Sequence, residues 1–311
     1  MAHAPSSRSR LRIGVVGVGQ RGTTRAEAVA ARDDVVLVGV TDADAARADA
    51  LANRHDTAAY RSAATLLAAC DAVCIATPTR DHFLIAEAAA KDGRHVFLEW
   101  PATTSVAECE RLVALSEEAG VEVGVAHPLP IAPLLASRPA GWRPRLVALD
   151  LPAGGISWPF LMAGALDLAA ALARSADVPR LDAEADRRGA LLDTVGATLR
   201  FRAGTLVHLL LGAAAASTRL FVAGRDHRAT VARLDAPLGF DAPPGFGAPP
   251  GFDAPPGFGP GRGSSRTRVV ADRDGFGGFL DALTAGRPTP RTALDALHTM
   301  RLTERLLAKL R

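Results

Sequence analysis

From Leu11 to Gly19 the chain reads Leu-Arg-Ile-Gly-Val-Val-Gly-Val-Gly, a β-branched run that ends in glycines. A short, near-continuous apolar run of this kind suits a parallel strand covered on both faces. The Ala-rich segment Thr23 to Arg32 predicts a helix, and Val35 to Val40 predicts the next strand, which closes a βαβ unit in about 30 residues. The alternation continues. Ala45 to Arg54 and Ser62 to Ala69 read as helices, Ala72 to Ala76 as a strand, His82 to Asp92 as a helix and His95 to Glu99 as a strand. Ser105 with Glu108 forms a Ser-x-x-Glu start signal, and Ala119-Gly120 a stop signal, for one further helix. Val121 to Ala126 then ends the run as a sixth strand. Six strands alternating with helices predict an α/β, doubly wound Rossmann sheet over residues 11–127.

Past Pro128 the pattern changes. Pro-rich turns lead to one apolar helix near Phe160 to Ala173. Period-two runs follow at Ala197 to Arg202, Thr205 to Leu211, Thr218 to Val222 and Ala229 to Leu234. These predict a second, α+β domain over residues 128–311 with an open, mostly antiparallel sheet. Within it lie four hexapeptides at 236–259, the first Ala-Pro-Leu-Gly-Phe-Asp and the last Ala-Pro-Pro-Gly-Phe-Gly. Proline and glycine at this density exclude both helix and ladder, so 236–265 reads as an expanded loop. Arg266 to Ala271 is then the returning strand and Thr292 to Leu310 an amphipathic final helix. Residues 1–10 read as a disordered tail.

Composition narrows the chemistry. With 36 basic and 33 acidic side chains the net charge is only +3, which provides no field for nucleic acid. Lysine occurs only at Lys91 and Lys309; every other fixed cation is an arginine. Cys70, Cys74 and Cys109 form an odd set with poor metal spacing, so no metal site is expected, and packing accounts for them. The polar start lacks a secretory apolar core, and no run reaches the roughly 18 apolar residues needed to span a bilayer. A reduced, cytoplasmic protein without membrane or nucleic-acid partners is the expectation.

The loop Gly17-Val18-Gly19-Gln20-Arg21-Gly22 directly follows the first strand. Its glycines permit a tight turn, backbone approach to a pyrophosphate and close helix packing, the requirements of a dinucleotide site. The second strand ends at Thr41-Asp42, where a carboxylate accepts ribose hydroxyls and repels a 2′-phosphate. NAD(H) is therefore favoured. NADP(H) stays possible because Arg21 and Arg47 are arginines that can accommodate the phosphate.

Ala76-Thr77-Pro78-Thr79-Arg80-Asp81-His82 and Gly93-Arg94-His95-Val96-Phe97-Leu98-Glu99-Trp100-Pro101 resemble the A-T-P-x-x-x-H and G-x-H-V-x-x-E-K-P motifs of the Gfo/Idh/MocA oxidoreductases. The segment Phe279 to Pro288 resembles that family's closing segment. The resemblance implies that Thr77, Pro78 and His82 line the nicotinamide ribose side, that Glu99 and Pro101 flank the ring, and that the protein acts on a small molecule as a homo-oligomer. For His82 a cap or solvent-facing position is the plain alternative.

Two family positions are altered. The E-K-P lysine corresponds to Trp100, which reads as a plug, a stacking surface or a packing residue. The D-x-x-x-H helix histidine is missing: one register sets Phe160 and Gly164 on the pair, another Asp167 and Ala171, and no histidine occurs between His127 and His208. An ordinary polyol dehydrogenase, which needs a group to accept the hydroxyl proton, is thereby disfavoured. His127 stands at the carboxyl end of the sixth strand, where such sheets bind ligands, and is the candidate acid, with Asp167 secondary. If the first register holds, Trp158 and Phe160 make an apolar site. The expectation is hydride transfer to or from a small apolar or heterocyclic imine or ketone. The thiazolinyl imine reductases of the same superfamily are similar in lacking the lysine and the helix histidine. A non-catalytic dinucleotide-binding scaffold or sensor is the rival from another class.

Overall fold

The computed structural model describes residues 10–127, 144–152, 157–213, 215, 219–223, 229–233 and 275–310. The chain divides into two compact units, residues 1–126 with 275–297 and residues 127–274 with 298–311. The segment 275–297 thus groups with the first unit, although it follows the second in sequence.

In the first unit six strands, β1 (Leu11–Val16), β2 (Val35–Thr41), β3 (Ala58–Ala59), β4 (Ala72–Ile75), β5 (His95–Leu98) and β6 (Val123–Val125), form one parallel sheet in the order β3-β2-β1-β4-β5-β6. The order reverses at β1, whose Ile13 pairs with Leu37 on one side and Ala72 on the other. Burial explains the apolar runs: Ile13 to Val16 and all of β4 are buried, as strands covered on both faces must be. The two-residue β3 has no apolar run to announce it. Five helices connect these strands: α1 (Gln20–Ala30), α2 (Ala45–Arg54), α3 (Ala63–Leu67), α4 (Thr79–Lys91) and α5 (Val106–Ala119). Both α1 and α4 begin three residues earlier than their apolar pattern shows. At α5 Ser105 Oγ accepts the Glu108 N–H, and Gly120 ends the helix at φ +64°. Glu108 reaches the N–H of Thr104 rather than of Ser105 itself, one residue further back than a strict capping box.

The second unit holds six strands, β7 (Leu146–Leu151), β8 (Arg180–Arg188), β9 (Leu191–Arg200), β10 (Leu206–Gly212), β11 (Arg219–Ala223) and β12 (Ala229–Arg233). Their order is β12-β11-β7-β10-β9-β8, and only β7 and β10 run parallel. Strands β7 and β8 are additions to the expected set, and β9 begins six residues before the expected Ala197. One face alternates into a core of Val147, Leu149, Leu151, Val207, Leu209 and Leu211, where each fully buried Leu or Val contributes about 1.5–3 kcal/mol. Helix α6 (Trp158–Ala173) contributes to the same core; it is apolar nearly all round and accordingly buried along most of its length. Two closing helices follow, α7 (Phe276–Thr284) and α8 (Ala293–Lys309), the second divided between the units after Leu297. The tail, the repeat loop 236–265 and the expected strand Arg266 to Ala271 lie outside the described residues, apart from Arg10. No helix among the described residues is long and apolar enough to cross a membrane.

Candidate functional site

The turn after β1 is built by two glycines with no room for a side chain. Gly17 sits at φ +85°, and a Cβ there would lie 2.8 Å from the Ala76 carbonyl. A Cβ on Gly22 would lie 1.7 Å from the Gly17 carbonyl oxygen, so the start of α1 packs directly on the turn. Gly19 is the N-cap of α1, makes no side-chain cap and faces open space. The first N–H groups of the helix, from Gln20 and Arg21 onward, therefore remain for an anion at the positive end of the dipole.

Asp42 locks this turn. Its Oδ2 accepts the Val18 N–H at 2.7 Å, and its Oδ1 accepts the Asp44 N–H at 2.8 Å. Arg47 Nη2 approaches the same Oδ1 at 3.1 Å. A cavity of about 610 Å³ opens here, walled by Gly17, Gly19, Asp42, Arg47, Thr77 and Pro78 among others. The Thr77 hydroxyl is buried without a hydrogen-bond partner, a state that a bound polar ligand would relieve. Open space at Gly19, an uncapped helix start, a carboxylate on the cavity wall and an orphaned hydroxyl all fit a nicotinamide dinucleotide.

Other expected contacts are engaged differently. Glu99 is buried, with Oε1 2.6 Å from Arg25 Nε and Oε2 2.7 Å from Arg21 Nη1. Arg21 is thus turned to Glu99 and not toward Asp42. Arg25, also buried, lies with its guanidinium 5.4 Å from the Phe97 ring centroid and 5.0 Å from that of Phe276. His82 is only 1% exposed, which corrects the solvent-facing alternative. Its Nδ1 lies 2.9 Å from the Pro101 carbonyl and its Nε2 2.8 Å from the Thr77 carbonyl, so the ring ties two loops together. Trp100 is buried under Arg291, whose guanidinium stands 5.3 Å from the indole. Arg291 Nη1 also donates to the Val125 and Ala126 carbonyls at 3.3 and 3.2 Å. That contact favours the packing role among the three readings of Trp100.

In the second unit His127 and Asp167 meet. His127 Nδ1 lies 2.7 Å from Asp167 Oδ2, with both side chains buried. Thr299 Oγ1 donates to the other carboxylate oxygen at 3.1 Å. Asp167 comes from the middle of apolar α6 and Thr299 from α8. A carboxylate among leucines is costly without such partners. Trp158 packs on the core of this unit, its ring so close to Gly212 that a Cβ there would be 2.6 Å away. The thiols are all buried, and burial pushes Cys70 up to about 11, away from reactivity.

Arg25, Arg291 and Thr299 escaped the sequence reading. Arg25 and Arg291 are two among the many arginines of this chain, and Thr299 is an ordinary helix threonine. No local pattern marks any of them.

Fold and loop together define a dinucleotide-binding Rossmann domain. Residues 11–127 match the model of the oxidoreductase family with an NAD-binding Rossmann fold, GFO_IDH_MocA. A UDP-N-acetylglucosamine 3-dehydrogenase from Acidithiobacillus ferrooxidans is 30% identical over 156 residues, 45% of this chain and 49% of that protein. The match thus spans about half the length of that relative. Among solved structures, the UDP-N-acetylglucosamine 3-dehydrogenase GnnA from the same organism matches 97% of this chain and 98% of its own, with a TM-score of 0.72 and 23% identity. GenD2 from gentamicin A biosynthesis, solved in complex with NAD, matches 99% of this chain and 96% of its own, with a TM-score of 0.69 and 22% identity. These two likenesses establish the fold across both units.

Proposed function

We propose that the protein is a nicotinamide-dependent oxidoreductase that interconverts a secondary alcohol and a ketone on a small, sugar-like substrate, with His127 exchanging the hydroxyl proton. The observation that carries this reading is the buried His127–Asp167 pair. Alcohol oxidation was disfavoured for want of a proton acceptor; an imidazole aligned by a carboxylate meets that need. The similarity to a UDP-N-acetylglucosamine 3-dehydrogenase then favours a nucleotide-linked sugar over the apolar imine of the sequence reading.

A bound nicotinamide dinucleotide supplies the hydride donor or acceptor. Gly17 and Gly19 let the backbone approach its pyrophosphate, and Asp42 faces the adenosine ribose. Asp167 holds the His127 ring through Nδ1, so that Nε2 is the nitrogen that takes a proton from the substrate hydroxyl or returns it to the ketone. Asp167 also stabilises the imidazolium formed on the way, and Thr299 fixes the carboxylate. Homo-oligomerisation and a cytoplasmic location belong to the same proposal.

The test is formation of reduced nicotinamide by the full chain with UDP-N-acetylglucosamine and related nucleotide sugars. Turnover that is lost in His127→Ala supports the reading. Equal turnover in His127→Ala contradicts the proton-transfer role, and dinucleotide binding without turnover of any alcohol or ketone favours the non-catalytic scaffold.

A further inference from the structure

We infer that Arg291 is a positioning residue for His127: by holding the Ala126 carbonyl it fixes the peptide plane from which the proton-transfer imidazole projects. The inference rests on the proposed role of His127. Strand β6 ends between two neighbours. On one side Ala126 N–H donates to the Leu98 carbonyl of β5 at 2.8 Å; on the open edge Val125 N–H donates to the Arg291 carbonyl at 3.3 Å, and Gly124 bridges to Thr292. In an extended strand the N–H and C=O of one residue point to the same side, and those of the next residue to the other. Val125 obeys this, because its carbonyl also faces the edge and accepts Arg291 Nη1 at 3.3 Å. Ala126 departs from it. Its N–H goes to β5, yet its carbonyl turns to the edge and accepts the same Nη1 at 3.2 Å. The chain thus leaves the ladder at Ala126, one residue before His127, and a buried guanidinium holds the turn.

A peptide group is planar, so fixing the Ala126 oxygen also fixes the nitrogen and the α-carbon of His127. A proton-transfer group acts only within hydrogen-bond reach of its partner, and a misplacement of about 1 Å costs about a hundredfold in rate. The guanidinium is itself constrained: it lies 5.3 Å from the Trp100 ring centroid, with both side chains buried. This gives Trp100 a use, as the surface that keeps Arg291 aimed at the two carbonyls. The residue after Arg291 starts α8. Thr292 Oγ1 accepts the Asp295 N–H at 3.5 Å, and Asp295 Oδ2 accepts the Thr292 N–H at 2.8 Å, a reciprocal cap. Further along the same helix Thr299 donates to Asp167. One short segment therefore anchors both the strand that leads into His127 and the helix that carries Thr299. A lysine at 291 keeps the charge but not the planar face that stacks on the indole.

The experiment compares the full chain as wild type, Arg291→Lys and Arg291→Met by two readouts. One is kcat and KM for alcohol-dependent formation of reduced nicotinamide. The other is the set of imidazole resonances in NMR spectra of isotope-labelled histidine, with His127 and His95 assigned by their loss in His127→Gln and His95→Gln. His95 is the control, because its ring accepts the N–H of Glu122, the residue before β6. The expected result is a kcat lowered about a hundredfold in Arg291→Met and about tenfold in Arg291→Lys, with KM and NADH affinity changed by less than about twofold. The His127 resonances move in both variants and those of His95 stay. An unchanged kcat, or His127 resonances that stay in place, in both variants overturns the inference. Equal displacement of His95 and His127 also overturns it, because it marks a general brace of the sheet. Where Arg291→Met does not fold, Arg291→Lys decides by the same criteria. A wild type that turns over no alcohol overturns the dehydrogenase reading, and the resonances still decide whether Arg291 orients His127.

Discussion

His127 and Asp167, forty residues apart in the chain, form a buried pair in which Nδ1 and Oδ2 are 2.7 Å apart. A carboxylate behind an imidazole selects one tautomer, aims the ring and stabilises its protonated form, the features a general acid or base requires. Asp167→Asn keeps the volume but removes the charge. Its turnover is expected to fall by about a hundredfold or more, with binding of NADH retained. Thr299→Val is expected to fall less, with Thr299→Ser restoring the rate. Comparison of kcat/KM across the four proteins checks this.

The glycines of the turn separate folding from binding. Gly22→Ala drives a Cβ into the Gly17 carbonyl and is expected to destabilise by about 3 kcal/mol. Gly19→Ala meets nothing within 4 Å, so its melting temperature is expected to match wild type. In the proposed dinucleotide site its added methyl crowds the pyrophosphate, and NADH affinity is expected to drop about tenfold or more. Thermal melts and titrations on the same preparations check both.

Glu99 was expected beside the nicotinamide ring, and its burial between Arg21 and Arg25 predicts a different phenotype. Glu99→Leu leaves the buried Arg25 without that carboxylate and is expected to cost about 3–5 kcal/mol. Denaturant unfolding measures it. An exposed Arg21→Ala is expected to cost under about 1 kcal/mol.

His95 makes stability depend on pH. Its Nδ1 accepts the Glu122 N–H at 3.0 Å, and burial holds its pKa below the usual 6.5. The unfolded chain therefore binds a proton below pH 6.5 that the folded chain refuses. This contribution is complete above the unfolded value and shrinks as the pH falls through it toward the folded value. Melting temperature is expected to decline as the pH is lowered below 6.5, and more shallowly in His95→Gln.

The dinucleotide loop was legible because its requirement is local: a positive φ at Gly17 and no Cβ at Gly22 are conditions on single residues beside an apolar strand. The parallel sheet of the first unit was legible for a similar reason, since strands buried on both faces leave unbroken apolar runs. Strand β8, Arg180–Arg188, was missed because an edge strand with charges on alternate positions lacks such a run. His127 and Asp167 were each visible, but their pairing is a tertiary event carried by α6. Arg291 over Trp100 was not visible, because a cation that returns from the far end of the chain leaves no spacing to read.

Chemical rescue is the most direct measurement of the proposed proton transfer. In His127→Gly, alcohol-dependent formation of reduced nicotinamide is expected to fall about a hundred- to ten-thousandfold, and added imidazole is expected to restore part of it. Retention of the wild-type rate in this variant, or a loss that imidazole leaves untouched while NADH still binds, would contradict the assignment of His127 as the group that moves the proton.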